Sequence, residues 1–111
     1  MSDKHYSVSL SAEAKEDLRS IAAHISLTLK NTIAARNLTQ RIRKEVRGLN
    51  LFPTRYGLVD WEPWHSSGVH KMSVDNFMVY YIVRDDSSEF IVLRIFYGGR
   101  DVESIVTNDD N

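Results

Sequence analysis

The chain has 111 residues, of which 42% are hydrophobic, and this size suits one compact domain. It has no cysteine, no apolar run long enough to span a bilayer and no signal-peptide core at its polar N-terminus. We therefore exclude a disulfide scaffold and a cysteine-ligated zinc site, and we expect a cytoplasmic protein without membrane contact. The net charge of −1 divides into +4 over residues 1–50 and −5 over residues 51–111, which argues against a uniformly basic nucleic-acid-binding surface.

The first predicted elements are a strand and a helix. Tyr6, Val8 and Leu10 alternate with polar residues, which predicts a short strand. Ser11 is a suitable N-cap for a following helix over Glu13–Leu29. Its apolar stripe consists of Leu18, Ile21, Ala22, Ile25 and Leu29.

A second helix is predicted over Ala34–Leu49, after a break and a new cap at Asn31-Thr32. Its apolar stripe consists of Ala35, Leu38, Ile42, Val46 and Leu49. The two helices form an antiparallel hairpin, and Leu18, Ile21, Ile25, Leu38, Ile42 and Val46 should be buried against another layer. A second stripe, opposite the apolar one, is cationic and consists of Arg36, Gln40, Arg43 and Arg47. It is either a solvated face or a surface that docks an acidic partner.

Three further strands supply the covering layer. They are predicted over Val69–Val74, Phe77–Arg84 and Glu89–Tyr97, and Asp75-Asn76 forms a tight turn between the first two. The order β-α-α-β-β-β, with a short final helix, predicts an α+β fold in which the helical hairpin packs on a twisted, mainly antiparallel four-stranded sheet. We expect a single domain over residues 1–111, with flexible tails at about 1–4 and 107–111.

The segment Arg94–Val106, RIFYGGRDVESIV, begins as a buried strand and ends as a helix. Gly98-Gly99 can reverse the chain, and Asp101 is a good N-cap for the short helix. Arg100 then projects at the end of the sheet, where its guanidinium either binds an anion such as phosphate or remains solvated.

Four segments together resemble the RelE/ParE superfamily of toxins from bacterial type II toxin–antitoxin systems. They are RIFYGGRDVESIV, Glu62-Pro63-Trp64, MSVDNF leading into VYYIV, and VSLSAEAKEDLRSIAAHI near the start. The resemblance covers nearly the whole domain and implies a cognate antitoxin as partner, in a hetero-oligomer. It leaves two activities open, because RelE-like members cut mRNA in the ribosomal A site whereas ParE-like members inhibit DNA gyrase and lack nuclease residues.

Metal-free RNA cleavage needs a base, an acid and cations around one phosphate. Transferred from the resemblance, the predicted catalytic residues are Arg100, Tyr97, Lys71, His70 and Glu62, and the predicted substrate-binding residues are His65 and Arg55. No metal and no cofactor is expected. Structural roles remain open for three of these residues: Tyr97 as a packing aromatic, Lys71 as protection of a sheet edge, and Glu62 as a loop anchor.

The choice between the two activities favours ribosome-dependent mRNA cleavage narrowly, with the ribosome and mRNA as partners. The alternatives are a gyrase inhibitor and a toxin fold that has lost toxicity. Met78, at a position where many nuclease members carry arginine, and the acidic second half of the chain count against cleavage. We also expect the antitoxin to bind apolar surface near the helical hairpin or the sheet edge, since Leu27 and Ile33 fall outside the two core stripes.

Overall fold

The protein is described by a computed structural model over residues 6–28, 30–48, 56–98 and 100–108. Its elements in chain order are β1 (Ser7–Leu10), α1 (Ala12–Ala23), a π-helix (His24–Thr28), α2 (Thr32–Arg47), β2 (His70–Val74), β3 (Phe77–Arg84), β4 (Glu89–Tyr97) and α3 (Val102–Asn108). This order confirms the predicted α+β architecture. Within the described ranges, no helix is long and apolar enough to cross a membrane.

The four strands form one sheet in the order β1-β4-β3-β2. β2, β3 and β4 are antiparallel neighbours, while β1 runs parallel to β4, with Ser7 aligned with Glu89 and Leu10 with Val92. Because β1 ends at Leu10, β4 has no neighbouring strand on that side from Leu93 onward in the described part of the chain.

The predicted N-caps of α1 and α2 are both present. The Ser11 hydroxyl accepts a hydrogen bond from the Ala14 amide at 3.0 Å, and the Asn31 side chain accepts one from the Ala34 amide at 2.9 Å. The predicted end of the first helix is different, because α1 stops at Ala23 and continues as the π-helix. The predicted helix ends Leu29 and Leu49 lie outside the described residues.

The main core lies between the helices and one face of the sheet. Leu18, Ile42 and Val46 are buried there, as predicted. The other three predicted core residues, Ile21, Ile25 and Leu38, are only half-buried. They line an open groove between the hairpin and the sheet, so the packing of the two layers is incomplete at this point.

The outer face of the sheet is covered by a second apolar cluster. Its buried members are Val59, Val69, Tyr80, Phe96 and Val102, and Trp61 and Trp64 pack against them. The segment 56–69 and α3 supply most of this cover, which explains why β3 and β4 are apolar on both faces. The prediction of a tail from residue 107 overlaps α3, which extends to Asn108.

A bulge in β4 changes which side chains face the helices. Arg94 pairs with Tyr80 and Val92 pairs with Tyr81, so Leu93 has no partner on β3. The alternation of side chains therefore shifts by one residue at Leu93. As a result, Ile95 joins the core beneath the helices although it lies an odd number of residues after Val92.

Candidate functional site

The chain reverses at Gly98, directly after β4. The Gly98 amide donates a hydrogen bond to the Asn76 carbonyl oxygen at 2.6 Å, and a Cβ on Gly98 would lie 2.9 Å from the same oxygen. This contact of two backbones requires glycine. Asp101 accepts hydrogen bonds from the Ser104 amide (3.3 Å) and hydroxyl (2.8 Å), which confirms the predicted cap of α3.

Arg100 and Tyr97 lie close to this reversal. Arg100 is exposed, and its Cζ is 5.6 Å from the centroid of the Phe96 ring. Tyr97 is 54% exposed and meets the edge of Phe77, with ring centroids 5.3 Å apart. Both residues line the groove between the helical hairpin and the sheet. The structure therefore places these two predicted site residues at one opening of the molecule.

His70 and Lys71 face opposite sides of the sheet, because they are consecutive residues of β2. His70 is half-buried, its Nδ1 lies 2.6 Å from the Tyr56 carbonyl oxygen, and its ring stacks on Tyr81 at 5.2 Å. Lys71 is exposed on the outer face, in register with Tyr80. These two predicted site residues are not brought together.

Glu62 and His65 lie in the segment that covers the outer face. The Glu62 carboxylate accepts hydrogen bonds from the Ser66 hydroxyl (2.7 Å) and amide (3.0 Å), and these bonds hold its pKa below the ordinary value of 4.5. The Nδ1 of His65 is 2.7 Å from the Val59 carbonyl oxygen. Both side chains are exposed and engaged in local bonds. Arg55, the other predicted substrate-binding residue, lies outside the described residues.

The predicted catalytic residues do not meet at one point. His70 pairs with Tyr81, whereas Tyr97 pairs with Phe77, four residues earlier on β3. At about 3.3 Å per residue, the two positions differ by about 13 Å along the sheet, in addition to their separation across strands. Within the described ranges, no three metal-ligating side chains lie close enough to hold an ion.

The groove has a volume of about 1050 Å³. The half-buried side chains of Ile21, Ile25 and Leu38 form one wall, and Phe77 and Ile95 belong to the other. Its apolar walls, next to the part of β4 that has no neighbouring strand, suit an apolar peptide segment rather than a small polar ligand.

An ion pair joins α1 to β4 at the side of the groove. The Asp17 carboxylate accepts hydrogen bonds from Arg94 Nε at 2.9 Å, Arg94 Nη2 at 3.2 Å and the Ile95 amide at 2.9 Å. We call this arrangement the Asp17–Arg94 clasp. The sequence prediction missed it, although an arginine within an apolar strand is itself a signal, since a charge placed there needs a partner.

Residues 8–102 match the sequence profile of a family described as the ParE toxin of the type II toxin–antitoxin system parDE. The chain belongs to this toxin family. Membership confirms the resemblance to the RelE/ParE superfamily that the four sequence segments indicated. Comparison with curated protein sequences gives no match.

Solved structures similar to this ParE-family protein share its fold. A chain of the chromosomal ParDE system from P. aeruginosa superposes with a TM-score of 0.71 at 22% identity, covering 86% of this chain and 98% of that one. The RelBE2 toxin–antitoxin complex from Mycobacterium tuberculosis gives 0.64 at 15% identity, with 84% and 98% covered. A mutant of the E. coli toxin RelE in the free state gives 0.63 at 10% identity, with 93% and 92% covered.

Proposed function

We propose that this toxin-family protein acts by binding DNA gyrase, and that an antitoxin neutralises it. The observation that carries the choice of target is the separation of the predicted nuclease residues across the sheet. A metal-free nuclease must gather a base, an acid and a cation around one phosphate. His70 and Lys71 face opposite sides of the sheet, and His70 is engaged by the Tyr56 carbonyl oxygen. This arrangement favours inhibition by binding over the narrow preference for mRNA cleavage that the sequence suggested.

Ribosome-dependent mRNA cleavage is the second candidate, and one observation favours it. Tyr97 and Arg100 are both exposed at the same end of the sheet, where an aromatic ring and a guanidinium are able to hold a nucleotide. If the protein cleaves RNA, Arg100→Ala should reduce cleavage by about a hundredfold or more, comparable to the loss of one oxyanion donor. Arg100→Lys should recover little, because lysine lacks the two-pronged geometry.

Two assays on the purified toxin separate these candidates. The first follows supercoiling of relaxed plasmid by gyrase, and the second maps mRNA ends on translating ribosomes by toeprinting. We expect inhibition of supercoiling and intact mRNA. Cleavage of ribosome-bound mRNA that disappears in a folded Arg100→Ala variant, without any effect on supercoiling, would exclude the gyrase proposal.

The groove is the proposed docking site of the antitoxin. Its walls leave Ile21, Ile25 and Leu38 half-buried, so an apolar segment laid along them removes this surface from water. The hairpin tip is the competing site, because Leu27 and Ile33 are 76% and 70% exposed there and do not line the groove.

A matched pair of variants distinguishes the groove from the tip. Ile25→Ser should weaken binding of the cognate antitoxin by about tenfold, which corresponds to about 1.4 kcal/mol of lost apolar burial. Leu27→Ser should leave the affinity almost unchanged. Titration calorimetry measures both, with melting temperature as the control for folding, and the opposite ranking would move the interface to the tip.

A further inference from the structure

A second cavity lies on the other flank of α1 and has a cationic rim. It has a volume of about 300 Å³, its floor includes Leu10 and Leu18, and Lys15, Arg19 and Arg43 line it. A smaller cavity of about 80 Å³ adjoins it through Arg43 and also contacts Arg47. We call this continuous surface, rimmed by Lys15, Arg19, Arg43 and Arg47, the cationic cleft.

The cleft has an unbalanced charge. Among the residues that the structure describes, no acidic side chain lines either cavity. Arg19 pairs with Glu16, which is an exposed pair, and Lys15, Arg43 and Arg47 have no ion-pair partner among the described residues. The excess of positive charge over residues 1–50 is thus partly concentrated around one apolar depression. Such a field favours an anionic partner.

We propose that the cationic cleft docks an acidic peptide segment, carrying an apolar side chain, of the protein that the toxin inhibits. The floor decides between a protein and a nucleic acid, because Leu10 and Ala22 are only half-buried there and a phosphate backbone gains nothing from covering them. A peptide fills this depression with an apolar side chain while flanking carboxylates reach the arginines. Arg43 is central, since it lines both cavities.

The position of α1 assigns the cleft to the target rather than to the antitoxin. Asp17, Ser20 and His24 face the groove, whereas Lys15 and Arg19 face the cleft, so the helix separates the two surfaces. A segment seated in the groove does not fill the cleft. This assignment rests on the proposed function, in which the groove belongs to the antitoxin and the target is a protein.

The first test measures growth arrest in cells expressing Arg43→Glu. Its matched control is Arg84→Glu, which makes the same charge change at an exposed position at the end of β3. Arg43→Glu should reduce the loss of viable cells at least about tenfold, because repulsion replaces attraction at the interface. The control should be as toxic as the wild type, and both variants should bind antitoxin and melt as the wild type does. Full toxicity of Arg43→Glu, or equal impairment of the control, would overturn the proposal.

A direct binding test does not depend on toxicity. Its probe is a fluorescein-labelled peptide of glutamates with two leucines, compared by anisotropy with a peptide in which serine replaces leucine and with duplex DNA. We expect the leucine peptide to bind most tightly, and Arg43→Glu to weaken it at least about tenfold. A different outcome is that the wild type binds this peptide through Arg43 and yet neither arrests growth nor inhibits gyrase. In that outcome the proposed function fails, but the cleft is still a binding site for an acidic peptide with an apolar side chain. No binding of the leucine peptide, or tighter binding of DNA, would refute the cleft proposal itself.

Discussion

The Asp17–Arg94 clasp should contribute substantially to stability, and Asp17→Ala removes it. The two side chains are only 15% and 23% exposed, and the carboxylate accepts three hydrogen bonds. An exposed ion pair contributes up to about 1 kcal/mol, and breaking a buried one costs about 3–5 kcal/mol. This pair lies between the two limits, so we expect Asp17→Ala to reduce the free energy of unfolding by about 2–3 kcal/mol. For a chain of this length, that corresponds to a fall in melting temperature of about 10 °C.

Glu16→Ala provides the matched control. Glu16 neighbours Asp17 on α1, and its ion pair with Arg19 is 64% and 69% exposed. Both substitutions introduce alanine at adjacent helix positions. The difference in helix propensity between Asp and Glu is a few tenths of a kcal/mol, which is small against the effect expected of the clasp. We expect Glu16→Ala to change stability by no more than about 0.5 kcal/mol.

Chemical denaturation followed by circular dichroism gives both free energies, and a double-mutant cycle with Arg94→Met isolates the coupling of the pair. Asp17→Asn should lose less than Asp17→Ala, because its amide oxygen still accepts from the Ile95 amide. If Asp17→Ala and Glu16→Ala lower stability equally, or if the cycle gives no coupling, the reasoning about the clasp is refuted.

Three further predictions concern stability and titration. Ile42→Ala should reduce the free energy of unfolding by about 2–5 kcal/mol, because Ile42 is 1% exposed in the core; a loss below 1 kcal/mol in denaturation would contradict its placement. Gly98→Ala should reduce the free energy of unfolding by about 1–3 kcal/mol, because its Cβ would lie too close to the Asn76 carbonyl oxygen in the β2–β3 turn. Gly57→Ala is the control: its Cβ would meet open space, so the melting temperature should not change. Ser66→Ala should raise the pKa of Glu62 toward 4.5 in an NMR titration. Because folding lowers the pKa of Glu62, the stability that this carboxylate contributes is present above its unfolded pKa and is lost as the pH falls through its folded pKa. An unchanged pKa in Ser66→Ala would contradict the hydrogen bond from Ser66 as the cause.

The strands were predictable because their signals are local. Phe77–Arg84 and Glu89–Tyr97 match β3 and β4 at both ends, since turn residues bound long apolar runs on each side. The caps at Ser11 and Asn31 were predictable for the same reason, because a cap depends on residues within one turn of helix. The order of elements and the resemblance of four segments to the toxin superfamily were then enough to predict the fold.

The site was less predictable because its geometry depends on register. Side chains alternate along a strand, so His70 and Lys71 lie on opposite faces of β2 and do not meet at one site. The sequence already indicates this, because the two residues are consecutive. The bulge at Leu93 was not readable, because only pairing with β3 reveals it. The partial exposure of Ile21 could not be predicted from the sequence either, because its place in the apolar stripe of the helix indicates a core residue.

The parallel pairing of β1 with β4 constrains when the molecule can form during synthesis. Ser7 aligns with Glu89, and Asp17 of α1 is bound by Arg94, which follows it by 77 residues. Both β1 and α1 therefore find their partners in a strand that is distant in sequence. Contacts of such sequence separation close late and slowly. A nascent chain that ends before Glu89 lacks the strand against which the groove and the floor of the cleft are assembled. Neither surface therefore exists until β4 has been translated.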